Sequence, residues 1–451
     1  MVGAGAAALG SAAPLHRSFA DSEIKELRLA AKLAVVNLTG NGYPDTAVWA
    51  YDGTVPGPTI RVRQGERIRV VVSNKLGGGT TVHWHGIRVE NSMDGVPGFT
   101  QPPIRPGESF TYEFTPPDAG TFWYHAHADT LQQLGRGLAG AFIVEEREPV
   151  AVDRDLLWFI EDWRLDDGGR IAPGFGNRME AGMSGRIGNT VTINGRVPGR
   201  VSVKAGDRVR LRIVNAALAR IVRLGFEGHR PLVVAYDGQP CEPSVSEGGR
   251  LVLGPAMRAD LIIDMNGKPG QTYRVIDNFY RDLAYKLIDL AYGPERPTRD
   301  HPPSAPPRLP ANPLPEPDVA AAQRHEIALQ GGMMGGMGMM GNGGMTSGVT
   351  IAGGGMMGMM GMGNATWAMN GKSMTGDGQR EMTPLITLKR GQSCMLALRN
   401  ETARRHPMHL HGHSFRVVSR NGKPNPRREW RDTVLVRKDW PRRPELRSRC
   451  A

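Results

Sequence analysis

Hydrophobic and polar positions alternate in short runs along the chain. In one such run Ile68, Val70 and Val72 fall on one side, and Arg67 and Arg69 fall on the other. A period of two places apolar side chains on one face of a β-strand, as in a sheet with one buried and one exposed face. The runs are short and are bounded by Gly, Pro and Asn, which favours β-sandwiches over helical bundles. The pattern therefore predicts an all-β fold.

One strand–turn–strand unit occurs three times, at residues 61–74, 201–215 and 385–400. Each copy has a glycine followed by a polar residue and then an alternating run that ends in Asn, nine residues after the glycine. A single hairpin-like unit could be coincidence, but three copies with equal spacing indicate a repeated domain. At 451 residues the chain is also too long for one core. We therefore predict three domains.

Composition changes along the chain suggest where the domains begin and end. A Pro-rich polar stretch separates the second and third domains, as expected of a linker. The predicted divisions are 1–20 (signal-like or disordered N-terminus), 21–148 (domain one), 149–296 (domain two), 297–330 (linker and start of domain three), 331–363 (Met/Gly-rich insertion) and 364–451 (domain three).

Histidines are concentrated in three short motifs, which contain eight of the twelve in the chain. His83-Trp-His85 and His409-Leu-His411 each begin nine residues after the Asn that ends their repeat. Residues two apart in a strand share a face, so each pair presents two imidazoles on one side. The two motifs therefore occupy the same place in domains one and three.

Two further features complete the histidine pattern. His125-Ala-His127 lies later in domain one, and His406 precedes the domain-three pair. Domain two has Arg223-Leu-Gly225 at the place of the His-x-His motif, so it cannot bind metal in this way. Clustered imidazoles without thiolates or carboxylates suit copper, with zinc or iron as alternatives. Domains one and three are therefore the predicted metal domains.

The motifs His-Trp-His-Gly, Tyr-His-Ala-His and His-Pro-Met-His-Leu-His-Gly, in this order, resemble three of the four signature motifs of the multicopper oxidases, the laccase-like and copper-efflux-oxidase group. The resemblance implies three consecutive cupredoxin-like Greek-key β-sandwich domains, with a trinuclear copper cluster between the first and the third. It implies one-electron oxidation of Cu(I) or phenolic compounds coupled to reduction of dioxygen to water. A copper nitrite reductase is a weaker rival, because such proteins lack the Tyr-His-Ala-His pair.

The resemblance also implies a role for individual residues. It implies that the copper ligands are His83 and His409 for the type 2 copper, His85, His125, His127 and His411 for the type 3 copper pair, and His406 for the mononuclear type 1 copper. Asp94 matches a carboxylate that relays protons near the cluster, although Met93-Asp94-Gly95 is also a common turn pattern.

The family's fourth motif is His-Cys-His with a further His and an axial Met or Leu, and it is expected after Asp432–Val436. No histidine follows His413, and 437–451 shows no apolar alternation. We therefore expect a truncated or frameshifted third domain that lacks its last strands and leaves strand edges exposed. A type 1 site needs a cysteine thiolate and two histidines, so electron delivery is expected to fail. The alternative function is copper sequestration without turnover, for copper tolerance.

A methionine-rich tract lies ahead of the third-domain motif. Eleven methionines, separated mainly by glycines, fall between Gly331 and Gly363. Thioether sulfur is a soft ligand that prefers Cu(I), so the tract is predicted to recruit cuprous ions. A solvated low-complexity linker is the alternative.

Composition constrains the partners and the location. The net charge of +12 is spread among acidic residues, which predicts no nucleic-acid partner. Cys241, Cys394 and Cys450 form no spaced framework for disulfides or zinc. No apolar run reaches the roughly 18 residues that a membrane span needs. Residues 2–13 are like the apolar part of an export signal without its basic region, or an Ala/Gly-rich disordered end. We expect a periplasmic or secreted monomer.

Overall fold

The computed structural model describes residues 24–177, 180, 182–299, 301, 303–332, 367–372 and 384–438, together with the backbone of 445–449. Within these residues, helix is limited to short segments such as α1 (Thr130–Gly135) and 3-10 turns at Asn91–Met93 and Glu247–Gly249. The predicted all-β fold is confirmed. Among the described helices, none has the length and apolar character needed to cross a membrane. The export-like segment, most of the Met/Gly-rich tract and Cys450 lie outside the described residues.

The first sandwich is built from eight strands. They are β1 (Lys25–Val36), β2 (Thr46–Tyr51), β3 (Gly57–Arg63), β4 (Ile68–Asn74), β5 (Val82–His85), β6 (Ser109–Phe114), β7 (Gly120–Ala126) and β8 (Ala139–Glu145). One sheet has the order β2-β1-β4-β6 and the other β3-β8-β7-β5. Val70, Trp84 and Phe142 belong to the core between them. His83 and His85 lie on β5, His125 lies on β7 and His127 directly follows it; the two strands are neighbours at one sheet edge.

The second sandwich follows directly. Its strands are β9 (Arg154–Trp163), β10 (Thr190–Ile193), β11 (Arg200–Val203), β12 (Arg208–Asn215), β13 (Val222–Phe226), β14 (Leu232–Tyr236), β15 (Gln239–Val245), β16 (Leu251–Leu253), β17 (Arg258–Asp264), β18 (Thr272–Asp277) and β19 (Tyr285–Tyr292). The sheets have the orders β10-β9-β12-β17-β14-β15 and β11-β19-β18-β13-β16. Ile213, Leu224 and Leu261 lie in the core between them.

The third domain has two sheets of unequal size. Its strands are β20 (Gln323–Gly331), β21 (Trp367–Met369), β22 (Ser393–Asn400), β23 (His406–His409), β24 (Phe415–Arg420), β25 (Lys423–Pro424), β26 (Trp430–Arg431), β27 (Thr433–Val436) and β28 (Glu445–Arg449). The larger sheet has the order β21-β20-β22-β28-β24-β25, with β26 on β24. The smaller sheet pairs β23 with β27, so that His409 lies opposite Thr433.

One strand, β28, follows Val436, in a segment whose sequence shows no apolar alternation. The backbone of β28 is hydrogen-bonded on one side to β22 and on the other to β24, both antiparallel. Strand pairing satisfies backbone N–H and C=O groups and does not require apolar alternation in the added segment. The facing edges of β22 and β24 are therefore paired where the sequence suggested exposed edges.

The repeated unit joins two facing sheets and is not a hairpin. In the first two copies, the strands before and after the turn belong to different sheets. In the third copy, the described residues before the turn form no strand, although Ile386 and Leu388 pack on the core. The turn glycines Gly65, Gly206 and Gly391 have φ of 83°, 82° and 78°, which strains other residues. The hairpin prediction failed because alternation marks the buried face and not the pairing partner.

The Asn that ends each repeat has the same role three times. Asn215 is fully buried, and its amide donates to the carbonyls of Arg220 (2.9 Å) and Leu253 (3.0 Å). Its side-chain oxygen accepts from the backbone N–H of Ala217 at 3.2 Å. The amides of Asn74 and Asn400 likewise donate to two backbone carbonyls each. The side chain therefore fixes the loop that leads towards the next strand, which in domains one and three carries histidines.

Both faces of the repeat strand in the middle domain are buried. The prediction of one buried face holds for β4, where Ile68, Val70 and Val72 are buried and Arg69 pairs with Glu113 outside. In β12, by contrast, every residue is buried, including three arginines. They pair with acidic groups of the first two domains; the pairs are Arg208–Asp264, Arg210–Glu146, Arg210–Asp260 and Arg212–Asp155. A buried charged face of this kind indicates a domain interface.

We expect Asn215→Ala to lower the free energy of unfolding by about 2–4 kcal/mol, because it leaves two buried carbonyls and one amide without partners. Chemical denaturation followed by tryptophan fluorescence measures this change. Asn266→Ala removes an exposed side chain and is the matched control, with an effect of at most about 0.5 kcal/mol. Equal effects of the two substitutions would contradict the role assigned to Asn215.

Candidate metal centre

Four imidazoles of domain one lie together at one sheet edge. Strands β5 and β7 are antiparallel, and their register places His83 directly opposite His125. The ring centroid of His83 lies 5.5 Å from that of His85 and 5.4 Å from that of His125. His127 follows the end of β7, with its ring 5.6 Å from that of His83. The period of two along each strand thus brings both pairs to the same end of the sheet.

Two imidazoles of domain three complete the cluster. The His409 ring stacks on the His85 ring with centroids 3.7 Å apart. The His411 ring lies 3.9 Å from the His83 ring, and the His409 and His411 rings are 5.0 Å apart. The predicted ligand pairs of domains one and three therefore meet at a single point between the two domains.

Hydrogen bonds to backbone carbonyls determine which ring nitrogen is protonated. The Nδ1–H of His83 donates to the carbonyl of Asp94 at 2.8 Å, and that of His409 donates to the carbonyl of Asp432 at 2.9 Å. A neutral imidazole then carries its lone pair on Nε2. The Nε2 atoms of His83 and His409 are buried and have no hydrogen-bond partner in the protein, and the same holds for Nδ1 of His127. A metal ion would satisfy these nitrogens.

The electrostatics keep the imidazoles neutral. Burial lowers the pKa of His83 to about 3 and that of His127 to about 4. It also lowers the pKa of His85, His125 and His409. Neutral imidazole is the form that binds metal, so these side chains are in the metal-binding form at neutral pH. The ligand atoms of His83, His85 and His409 all lie within 4.8 Å of one another, close enough to share an ion.

Asp94 lies in the cluster and also in a turn. Its Oδ2 accepts from Nδ1 of His411 at 2.8 Å, and its Oδ1 is 3.2 Å from Nδ1 of His83. Burial acts to raise the pKa of this carboxyl, but the contacts with His411 and His83 outweigh it and hold the pKa below its usual range. The next residue, Gly95, has a φ of +80°, and a Cβ there would lie 1.9 Å from the carbonyl oxygen of Val82. Only glycine lets this turn approach β5 closely.

His406 lies apart from the six clustered rings. It is three residues before His409 on β23, and residues three apart in a strand point to opposite faces. Its Nε2 is 2.7 Å from the hydroxyl of Thr402, and its ring lies 4.7 Å from the Trp367 ring. Burial lowers its pKa. The structure thus separates His406 from the cluster, on the other side of the same strand.

The comparisons with known proteins agree with this geometry. Family models described as multicopper oxidase match residues 32–149, 156–287 and 356–442. The multicopper oxidase MmcO of Mycobacterium tuberculosis is 30% identical over 428 residues, which cover 88% of this chain and 77% of MmcO. The chain belongs to the multicopper oxidase family. As a multicopper oxidase it is an oxidoreductase, and its cofactor is copper.

Solved structures of multicopper oxidases share the fold. The enzyme from Pseudomonas thermotolerans has a TM-score of 0.77 and 31% identity, covering 96% of this chain and 93% of its own. The enzyme from Campylobacter jejuni, described as a metallo-oxidase, has a TM-score of 0.75 and 27% identity, covering 96% and 87%. Laccase-1 of Cryptococcus neoformans is 34% identical over 261 residues, 52% of this chain and 41% of the laccase. The expected cupredoxin-like multicopper oxidase fold is confirmed.

Copper fits the residues that are present. Besides the three unpartnered nitrogens, His125 and His411 donate from Nδ1, to the Ala126 carbonyl and to Asp94. Each therefore carries its lone pair on Nε2. An array of neutral imidazoles oriented by hydrogen bonds is the donor set that copper favours.

The structure adds residues that the sequence did not single out. Asp432 and Thr433 lie beside His85 and His409, and Arg258 of the middle domain pairs with Asp432. The segment 432–436 shows only a strand pattern in the sequence. Arg258 lies in a domain without histidine motifs, so nothing in its local sequence indicates a role at the metal centre.

The lowered histidine pKa values predict a pH dependence of stability in the copper-free chain. His127 titrates near 4 in the folded protein and near about 6.5 when unfolded, so between these values the unfolded state binds more protons. Stability therefore falls as the pH is lowered through this range. We expect His127→Asn to reduce the slope of unfolding free energy against pH by about 1.4 kcal/mol per unit between about pH 4.5 and 6.

Urea denaturation at a series of pH values, with copper removed by chelation, measures the slope. His301→Gln replaces an exposed histidine and is the control, with an unchanged slope expected. A slope for His127→Asn equal to that of the unsubstituted chain would show that His127 is not buried as described.

Proposed function

We propose that this protein couples one-electron oxidation of a reductant, Cu(I) or a phenolic compound, to reduction of dioxygen to water at a trinuclear copper cluster. This proposal rests on one observation: six imidazoles from domains one and three meet in one place, and three of them, His83, His127 and His409, have a buried ring nitrogen without a protein partner. The similarity to a metallo-oxidase and to a laccase supports both classes of reductant. When bound, copper supplies the electron transfer to dioxygen.

We assign the ligands as the family's motifs imply. His83 and His409 hold the type 2 copper, and both have Nδ1 fixed by a carbonyl and Nε2 unpartnered. The remaining four cluster histidines, His85, His125, His127 and His411, hold the type 3 pair. His406 belongs to the type 1 site, and its separation from the cluster supports a distinct copper position.

Asp94 is the proton carrier in this proposal. Its carboxylate is ionised, and its Oδ1 is buried with no hydrogen-bond donor of its own. Reduction of dioxygen to water consumes protons, and a carboxylate in contact with two ligand histidines can relay a proton that it binds only transiently at Oδ1. The contact of Oδ2 with His411 keeps the group oriented while Oδ1 takes up and releases the proton.

Electron delivery requires ligands beyond those in these 451 residues. A type 1 site needs a thiolate and two histidines, and His406 is the one histidine that the family motif assigns to it here. No histidine follows His413, and Cys450 has no neighbouring histidine in the sequence. We propose that these residues by themselves bind copper but turn over weakly or not at all until a His-Cys-His segment is supplied.

Copper sequestration for copper tolerance is the second candidate function. The eleven methionines between Gly331 and Gly363 favour it, because soft thioether ligands hold Cu(I) without turnover. Dioxygen and a small reductant are the partners in the oxidase proposal, and copper ions alone in this one. Export to the periplasm or the medium and a monomeric state stay predictions.

Oxygen uptake separates the two functions. We expect the 451-residue chain to bind copper without an intense blue thiolate-to-copper band and with little oxygen uptake on Cu(I) or a phenol. The same chain with a His-Cys-His segment grafted after Val436 is expected to gain both the band and the uptake. Bound copper with no oxygen uptake in either form would favour sequestration, and a blue, active 451-residue chain would overturn the requirement for the segment.

A substitution in the active, grafted form tests the proton carrier. We expect Asp94→Asn to lower the rate of oxygen uptake by about 100-fold or more at unchanged copper content, because the amide cannot take up a proton. Glu90→Gln removes an exposed carboxylate from the same loop and is the control, with a rate close to that of the parent. An unchanged rate in Asp94→Asn would assign the residue to the turn alone.

A further inference from the structure

Arg258 connects all three domains beside the metal centre. It is the first residue of β17 in the middle domain, and its side chain is fully buried. Its Nη1 and Nη2 donate to Oδ1 and Oδ2 of Asp432 in domain three, at 2.8 and 2.5 Å. Its Nε donates to the carbonyl of Thr121 in domain one at 3.2 Å. A bidentate pair of this kind fixes both partners in orientation as well as distance.

The partner of Arg258 orients two cluster histidines. The backbone carbonyl of Asp432 accepts from Nδ1 of His409, and its carboxylate accepts from the hydroxyl of Thr433 at 2.7 Å. Because the Thr433 hydroxyl donates its hydrogen to the Asp432 carboxylate, its oxygen accepts a hydrogen bond from Nε2 of His85 at 3.2 Å. The lone pair of His85 is then on Nδ1 and that of His409 on Nε2. The tautomers of both rings thus follow from the placement of one two-residue segment.

A second observation places the same ion pair against domain one. A Cβ at Gly86, the residue after His85, would lie 2.3 Å from Nη2 of Arg258 and 2.3 Å from Oδ2 of Asp432. The glycine of the His-Trp-His-Gly motif therefore leaves room for the guanidinium–carboxylate pair. The pair packs directly against the backbone that carries His85.

We propose that Arg258 is a positioning residue of the copper centre: it holds Asp432 and Thr433, and through them the facing imidazoles of His85 and His409. The proposal rests on the ligand assignment given above. It gives the middle domain, which contributes no histidine to the cluster, a part in setting copper geometry. Without the guanidinium, the buried Asp432 carboxylate would lack its charge partner and would draw the surrounding N–H and O–H donors towards itself.

A matched pair of arginine substitutions tests this role. Arg258→Met and Arg212→Met each remove a buried middle-domain arginine that contacts Thr121, but Arg212 pairs with Asp155 and Asp260 and not with Asp432. Cu(II) is titrated into each copper-free chain against a competing chelator, and the electron paramagnetic resonance spectrum of the bound ion is recorded. Circular dichroism and thermal unfolding measure the structural effect separately.

We expect Arg258→Met to weaken Cu(II) binding by about 10- to 100-fold and to change the hyperfine splitting, as disruption of groups that orient metal ligands does. Arg258→Lys keeps the positive charge but lacks the paired N–H donors of the guanidinium. It is expected to recover part of the Cu(II) affinity. Arg212→Met is expected to lower the unfolding temperature while leaving affinity and spectrum unchanged. Equal copper affinity and spectra in Arg258→Met and the parent would overturn the proposal.

Two further measurements cover the remaining outcomes. If Arg258→Met fails to fold, Thr433→Val tests the proposal in its place. This substitution removes the hydroxyl shared by Asp432 and His85 with little change in volume. Unaltered copper binding in Thr433→Val contradicts the proposal. Should the parent chain bind no Cu(II), the ligand assignment is wrong. The positioning role is then judged by the ring-nitrogen shifts of His85 and His409 in the copper-free chain, which must change in Arg258→Met and not in Arg212→Met.

Discussion

The structure depends on bringing buried, neutral imidazoles from two separate domains to one point. Each buried nitrogen without a hydrogen-bond partner costs about 1–3 kcal/mol, and Nε2 of His83 and of His409 are both in that state. The protein does not satisfy these atoms itself, although it has fixed the tautomers that leave their lone pairs free. A metal ion that accepts these lone pairs would therefore stabilise the arrangement.

The middle domain supports this meeting of domains one and three. Its strand β12 buries three arginines against acidic groups, and β17 contributes Arg258 to the pair with Asp432. Close backbone contact adds to these ion pairs, since a Cβ at Gly120 of domain one would lie 2.2 Å from the carbonyl oxygen of Gly238 in domain two. Buried charges paired across a boundary tolerate little relative movement of the domains. A domain that contributes no histidine to the cluster can in this way determine where the imidazoles of its neighbours meet.

Much of the fold can be predicted from the sequence, because the features that form it are local. The Gly turn, the alternating strand and the terminal Asn recur at equal spacing, and Asn74, Asn215 and Asn400 make the same kinds of hydrogen bond. Strand pairing was harder to predict. The turn leads from one sheet to the other, and β28 pairs with β22 and β24 without an apolar pattern. Backbone hydrogen bonds are nearly indifferent to side-chain type, so sequence alone leaves the partner of such a strand undetermined.

The sequence by itself determined the class of the molecule and its donor set: an all-β chain of three repeated units, with histidine pairs whose period of two puts both rings on one strand face. Only the tertiary structure decided which nitrogen of each ring is free, because that depends on hydrogen bonds to carbonyl, carboxylate and hydroxyl groups, most of which belong to residues distant in the sequence. Asp94 reaches His411 across 317 residues, and Arg258 reaches Asp432 across 174. Contacts between such distant residues leave no periodic pattern in the sequence, and they exist once the domains have packed.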